Sequence, residues 1–134
     1  MPCCRLNNFS DLDFSGVAWN HPHIIMYDYT KRTDLMRRFL RRQNERAGDW
    51  PGNYHLCFSR SESNWRDCLE VLAAGGNVAV VFRRLPSVPA AWEGFPVVDG
   101  TANDLRFLDG RGKVVALEAS REARRDRSGF VVDL

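Results

Sequence analysis

The feature that most constrains this chain is a series of short, wholly apolar runs separated by amphipathic segments. Val78-Ala-Val-Val-Phe82 is the clearest of them. A run without polar alternation suits a strand covered on both faces, the habit of parallel sheets. Comparable strands are read at residues 23–29, opening after Pro22, and at 54–58, 95–98 and 113–117. Fainter ones stand at 3–7 and 129–132.

Helical periodicity fills the gaps. Over residues 34–46, Leu35, Met36, Phe39 and Leu40 share one face, while Arg37, Arg38, Arg41, Arg42 and Glu45 share the other. Thr33 is placed to cap that helix, and Asp34 suits its first turn. Trp65, Cys68, Leu69 and Leu72 recur at helical intervals. Ahead of them Ser59 and Glu62 have capping-box spacing, and Gly75-Gly76 supplies a left-handed stop. Parallel strands need crossovers, so this order predicts an α/β fold: a mostly parallel sheet with alternating helices. Residues 8–13 read as a loop, Ala90 and Trp92 as part of a short helical turn, and 105–108 as a brief extended piece.

A chain of 134 residues is long enough for one domain spanning 1–134 with a core that needs no staples. The 44% apolar and 27% charged fractions exclude wholesale disorder. The four cysteines, Cys3, Cys4, Cys57 and Cys68, have no zinc-site spacing. With no apolar run of about 18 residues and no secretory segment, a reduced cytoplasmic protein without a membrane span is expected.

In a parallel α/β fold, sites collect beyond the carboxyl ends of the strands. Those ends carry Asp28, Thr30 and Lys31, then Ser59, Arg60 and Glu62, then Arg83 and Arg84, then Asp99. Lys31, Arg60, Arg83 and Arg84, with Ser59 and a helix N-terminus, point to an anion such as a phosphate or a nucleic-acid backbone. The plainer alternative is a set of solvated charges paired with Asp28, Glu62 and Asp99. The net charge of +2 does not by itself imply a polyanion partner. Arg37, Arg38, Arg41 and Arg42 are a second candidate surface for nucleic acid or a protein partner, or simply an outer helix face. Asp99 and Glu62 form a candidate acid–base pair for an enzyme.

Other constellations are thinner. Asp99, Asp104 and Asp109 are turn residues before they are metal ligands, and His21 with His23 lacks a third ligand. His55 reads as structural and Cys57 and Cys68 as small buried hydrophobes; Trp50, Trp65 and Trp92 read as plugs at the edges of the core, with Trp50, in a Pro-Gly loop, the one candidate for an exposed stacking contact. No P-loop or dinucleotide fingerprint occurs, so neither a cofactor nor a metal is expected.

Several phrases, in order along nearly the whole chain, carry a resemblance. They are Arg5-Leu-Asn-Asn-Phe-Ser-Asp11, Tyr27-Asp-Tyr-Thr-Lys31, Asn53-Tyr-His-Leu-Cys-Phe-Ser-Arg-Ser-Glu-Ser-Asn64, Asn77-Val-Ala-Val-Val-Phe82, Asp99-Gly100, Asp104-Leu-Arg-Phe-Leu-Asp109 and Ser128-Gly-Phe-Val131. Together they resemble the C-terminal half of a family of phage and prophage proteins of unassigned function. Longer members carry a cysteine-bearing N-terminal half and resemble a barrel of alternating strands and helices. The resemblance therefore implies half of a (β/α) barrel whose exposed sheet edges invite a homodimer. It also permits a protein-interaction module that inhibits a host defence complex, an anti-CRISPR-like or other counter-defence factor.

Overall fold

The computed structural model describes residues 2–8 and 10–134; Met1 and Phe9, the latter inside the expected 8–13 loop, lie outside the described residues. Seven strands form one sheet: β1 (Cys3–Arg5), β2 (Ile25–Thr30), β3 (Tyr54–Ser59), β4 (Val78–Phe82), β5 (Ala91–Trp92), β6 (Phe95–Asp99) and β7 (Val114–Glu118). Their spatial order is β1-β2-β3-β4-β7-β6-β5. Every pairing is parallel except the β5–β6 hairpin. The sheet is open and does not close into a barrel.

Handedness explains which face each connection covers. From β1 to β4 the chain steps in one direction, through α1 (Ser15–Asn20), α2 (Thr33–Glu45) and α3 (Trp65–Ala73). Right-handed crossovers in one direction put all three helices on one face. There Leu35, Met36, Phe39, Leu40, Cys68, Val71 and Leu72 pack on Met26, Tyr54, Leu56, Phe58, Val78, Val80, Phe82 and Val114. The step from β6 back to β7 runs the opposite way, so its crossover, residues 100–113, lies on the other face. Phe107 in that crossover meets Tyr27 and His55, with ring centroids 5.6 and 5.7 Å apart. One face is thus sealed by helices, and the other is spanned by a single irregular segment.

β3 and β4 pair only at Phe58↔Val78 and Ser59↔Ala79, so β4 projects beyond the end of β3. The C-terminal tail fills that step. Val132 bridges Phe82 in parallel, donating to Val81 O at 2.9 Å and accepting from Arg83 N–H at 2.8 Å. The expected strand at 129–132 is therefore one bridge. The exposed sheet edges are the three residues of β1 and the two of β5, which leaves little ladder for a second copy.

Several local expectations are corrected. Thr33 does not cap α2; Arg32 occupies that position, and the Thr30 hydroxyl accepts its N–H at 3.0 Å. No Ser59–Glu62 capping box forms, because α3 starts later: Asn64 accepts from Ser61 N–H at 2.7 Å and donates to Ser59 O at 3.0 Å. Ala91 and Trp92 form β5 rather than a helical turn, and residues 106–108 are a 3-10 turn rather than extended. Helix α1 had no counterpart in the sequence reading.

Candidate functional site

Because β2, β3, β4 and β6 run parallel, their carboxyl ends share one edge, and Lys31, Arg60, Arg83 and Asp99 all stand on it. The strand order then divides the group. Lys31 follows β2 and Asp99 ends β6, four strand spacings or about 19 Å apart. Two clefts result, with the tail between them.

The tail takes up the middle of the edge. Arg60 Nη1 donates to Gly129 O at 3.0 Å and Phe130 O at 3.1 Å. Arg83 bonds Asp133 through Nε at 2.7 Å and Arg124 O through Nη1. Lys31 Nζ lies 4.8 Å above the Phe130 ring. Two of the four expected anion-binding cations, Arg60 and Arg83, are thus engaged by carbonyls and a carboxylate of their own chain. Arg84 is exposed farther out, and Glu62 is exposed beside Gly129.

The first cleft, about 260 Å³, opens at the ends of β1, β2 and β3 and is lined by Arg5, Tyr29, Lys31, Ser59, Ser10 and the carboxylate-bearing Asp11, among others. Alternation along β1 and β2 turns Arg5 and Tyr29 to the face without helices. The Arg5 guanidinium stacks 4.9 Å from the Tyr29 ring centroid, fixed by Asn7 O at 3.2 Å and Asp104 at 3.4 Å. Burial pushes the Tyr29 phenol well above its ordinary range, so it stays a neutral donor. Asp11 holds the wall in place, accepting from the Thr30 hydroxyl at 2.6 Å and Lys31 N–H at 2.8 Å.

Asp28, expected among the polar groups of the rim, is instead 1% exposed beneath this cleft. Its carboxylate accepts from Leu6 N–H at 3.1 Å, Asn7 N–H at 2.7 Å, Asn7 Nδ2 at 3.0 Å and the Tyr54 hydroxyl. Asn7 in turn grips the loop through Ser10 and Leu12. Asp28 is the fastening for the cleft, not a member of it.

The second cleft, about 530 Å³, is lined by residues 85–88 with Asp99, Thr101 and Glu118. Hydrogen bonds from the Thr101 hydroxyl and N–H hold the Asp99 carboxyl below its usual range. Glu118 accepts from Leu85 N–H at 2.9 Å and Arg124 at 2.8 Å. Glu62 does not line this cleft. It follows β3, three spacings or about 14 Å from β6, too far for the two carboxyls to act on one bond.

The arginines of α2 are locally neutralised. Arg38 pairs with Asp13 at 3.0 Å and Asp49 at 3.2 Å, Arg41 with Glu45 at 3.3 Å and Arg37 with Glu70 at 3.9 Å. Arg42 is half-buried against Gly52. Trp50 plugs the core rather than offering an exposed stacking contact: it is fully buried, stacked on Tyr54 at 5.1 Å, with Nε1 donating to Tyr54 O. The exposed tryptophan is Trp19, at 54%.

Asp99, Asp104 and Asp109 address three different partners, Thr101, Arg5 and Arg106. Among the described residues no three His, Cys, Asp or Glu side chains converge as a metal site. All four cysteines are unbridged, and burial pushes the Cys57 thiol up to about 12, in keeping with a small buried hydrophobe. No helix among the described residues is long and apolar enough to cross a membrane.

Arg5 and Tyr29 are the site residues that sequence reading missed. Their signal was available in the strand alternation, which sends both to the open face at the carboxyl edge. The contacts that build the edge run from Arg5 to Asp133, so no short motif could identify this chain. No curated protein and no solved structure matches it. A family model does, over residues 1–134. The dispersed phage-type phrases and that end-to-end match agree: the chain belongs to the Gene product 88 family, a phage-type family of gene products.

Proposed function

We propose that this chain is a binding domain that holds an anionic ligand, a phosphate group above all, in the cleft at the carboxyl ends of β1, β2 and β3. The observation that carries the reading is the convergence of Arg5, Lys31, Tyr29 and Ser59 on one polar space of about 260 Å³. Two fixed cations and two neutral hydroxyls match the donor set a phosphate oxygen cluster needs. Arg60 and Arg83 do not line this cleft and bind the tail instead.

The test is titration calorimetry with inorganic phosphate and a nucleoside monophosphate. Replacing Arg5 and Lys31 together by Ala removes two charge-assisted contacts, each about 1.5–3 kcal/mol, and should weaken binding at least tenfold. Parent protein that binds neither probe at millimolar concentration ends the reading.

A second reading, a protein-interaction module of the counter-defence kind, draws on Trp19 and Leu12, each 54% exposed near the β1 side of the sheet. Large aromatic side chains left in water are typical anchors of protein contacts. Trp19→Ala should then abolish a stoichiometric partner complex from infected-host extract while leaving phosphate binding intact.

A further inference from the structure

The carboxyl edge carries a second set of cations that the tail does not consume. The segment from 119 to 133 crosses the tops of β4, β3 and β2 in turn, bonded to Arg83 through Arg124 O, to Arg60 through Gly129 O and Phe130 O, and to Lys31 through the Phe130 ring. Arg121, Arg125 and Arg127 project from this segment as exposed side chains, and Arg84 is exposed beside its start. None of these four has an ion-pair partner among the described residues.

Two of the three acids of the segment are engaged by the segment's own surroundings. Asp126 accepts from the Ser128 hydroxyl and from Val131 N–H, and Asp133 pairs with Arg83. Glu122 alone stays exposed without such a bond. The result is a row of exposed cations, Arg127, Arg125, Arg121 and Arg84, that runs from beside Lys31, on the rim of the phosphate cleft, across two strand spacings, about 10 Å.

We propose that this edge binds single-stranded nucleic acid, with one phosphate in the Arg5–Lys31 cleft and the strand continuing over Arg127, Arg125 and Arg121 toward Arg84. The inference rests on the cleft reading and extends it from one anion to a chain of them. Two features favour a single strand over other polyanions. Aromatic rings, Tyr29 and Phe130, lie directly beside the cations, which suits bases as well as phosphates. Among the described residues the tail carries only the three-residue 3-10 turn Ala123–Arg125, too short to enter a duplex groove as a recognition helix. On the α2 face, by contrast, Arg37, Arg38 and Arg41 are each paired with an acid of the chain.

The experiment is fluorescence anisotropy with a labelled single strand of about 12 nucleotides, run from roughly 50 to 200 mM salt, beside calorimetry with inorganic phosphate. In R125E/R127E, folding checked by circular dichroism, oligonucleotide affinity should fall at least tenfold while phosphate affinity is unchanged. The milder R125Q/R127Q should lower the slope of log affinity against log salt by about 1.4, two contacts at about 0.7 each. R5A/K31A should weaken both ligands. If the parent binds phosphate but holds the oligonucleotide no more tightly, or if R125E/R127E binds it like the parent, the nucleic-acid track is overturned and the cleft stands. Equal displacement by a polyglutamate peptide of matched charge also overturns it. An oligonucleotide that binds through Arg125 and Arg127 with no phosphate binding in the cleft supports the track and sinks the cleft.

Discussion

Two buried charges sit on opposite faces of the same sheet and are treated very differently by the fold. Asp28, on the helix-covered face, is 1% exposed and accepts four hydrogen bonds, from two backbone amides, an asparagine and a tyrosine. Arg106, on the face spanned only by the crossover, is 5% exposed and donates to Asn103 O, with Asp109 3.4 Å away. Its Nε and Nη1 have no hydrogen-bond partner among the described residues, nor has Asp109 Oδ2. A carboxylate that satisfies its surroundings organises them, whereas a guanidinium left half-satisfied contributes little net stability. The cleft above β1 to β3 is therefore anchored from the sealed face, and the crossover is only latched to the open one.

The sharpest way to break that contrast is Asp28→Ala. It strands the Tyr54 hydroxyl and the Leu6 and Asn7 donors in a dry environment, and frees the Ser10–Leu12 loop that Asn7 holds. The expected cost is about 4 kcal/mol, on the order of 12 °C in Tm for a domain of this size. Thermal unfolding followed by circular dichroism measures it. A loss of less than about 3 °C would show that the four bonds fasten nothing.

A smaller effect tests the other side. Gly100 lies against Arg106, where an added Cβ would stand 2.5 Å from Nη1 and 2.6 Å from both Leu117 Cδ2 and Val115 Cγ1. Gly100→Ala should cost about 2 kcal/mol through overpacking. Arg106→Met should change stability by at most about 1 kcal/mol, because it removes a poorly satisfied charge from an apolar site. In the double variant the losses should fall short of their sum by at least about 0.5 kcal/mol, since one of the clashes is gone. Strict additivity in urea unfolding would mean that Arg106 does not occupy the space Gly100 leaves.

The same contrast governs what the sequence could disclose. On the sealed face, burial by helices leaves plain signals: Val78 to Phe82 is β4 residue for residue, and Leu35, Met36, Phe39 and Leu40 all face inward. Away from those helix-packed runs the chain is held by particular contacts with no period. The turn that makes the β5–β6 hairpin uses Glu93 and Gly94 at φ +50° and +83°, a dipeptide without the usual Asn-Gly mark. Helix α1 hides because its six residues include Gly16 and an exposed Trp19, so no apolar stripe forms. The shared rim was legible from strand polarity. Its occupation by residues 124–133 was not, because it depends on β3 ending two residues into its pairing with β4, an offset no local pattern encodes.

The slightest expected effect is a pH dependence that should belong to the open face alone. His55 lies between the rings of Phe39, at 6.3 Å, and Phe107, at 5.7 Å, and burial lowers its pKa from the ordinary 6.5. The unfolded chain then binds a proton at His55 more readily than the folded one, so stability should fall as pH drops below about 6.5 and level off once the folded imidazole titrates. Asp109, raised by burial, works in the opposite sense: its ionised form is disfavoured in the fold, so it returns stability only as pH falls through its own folded pKa. The two signs separate the titrations. His55→Gln should flatten the loss of urea stability that sets in as pH drops below about 6.5. A cationic imidazole would press on Phe107 and so loosen the crossover, while the Asp28 network on the far side of the sheet stays intact. Hydrogen exchange followed as pH is lowered from about 7 should therefore quicken at residues 105–109 and leave the Asn7 amide protected; equal quickening at both would erase the distinction between the two faces.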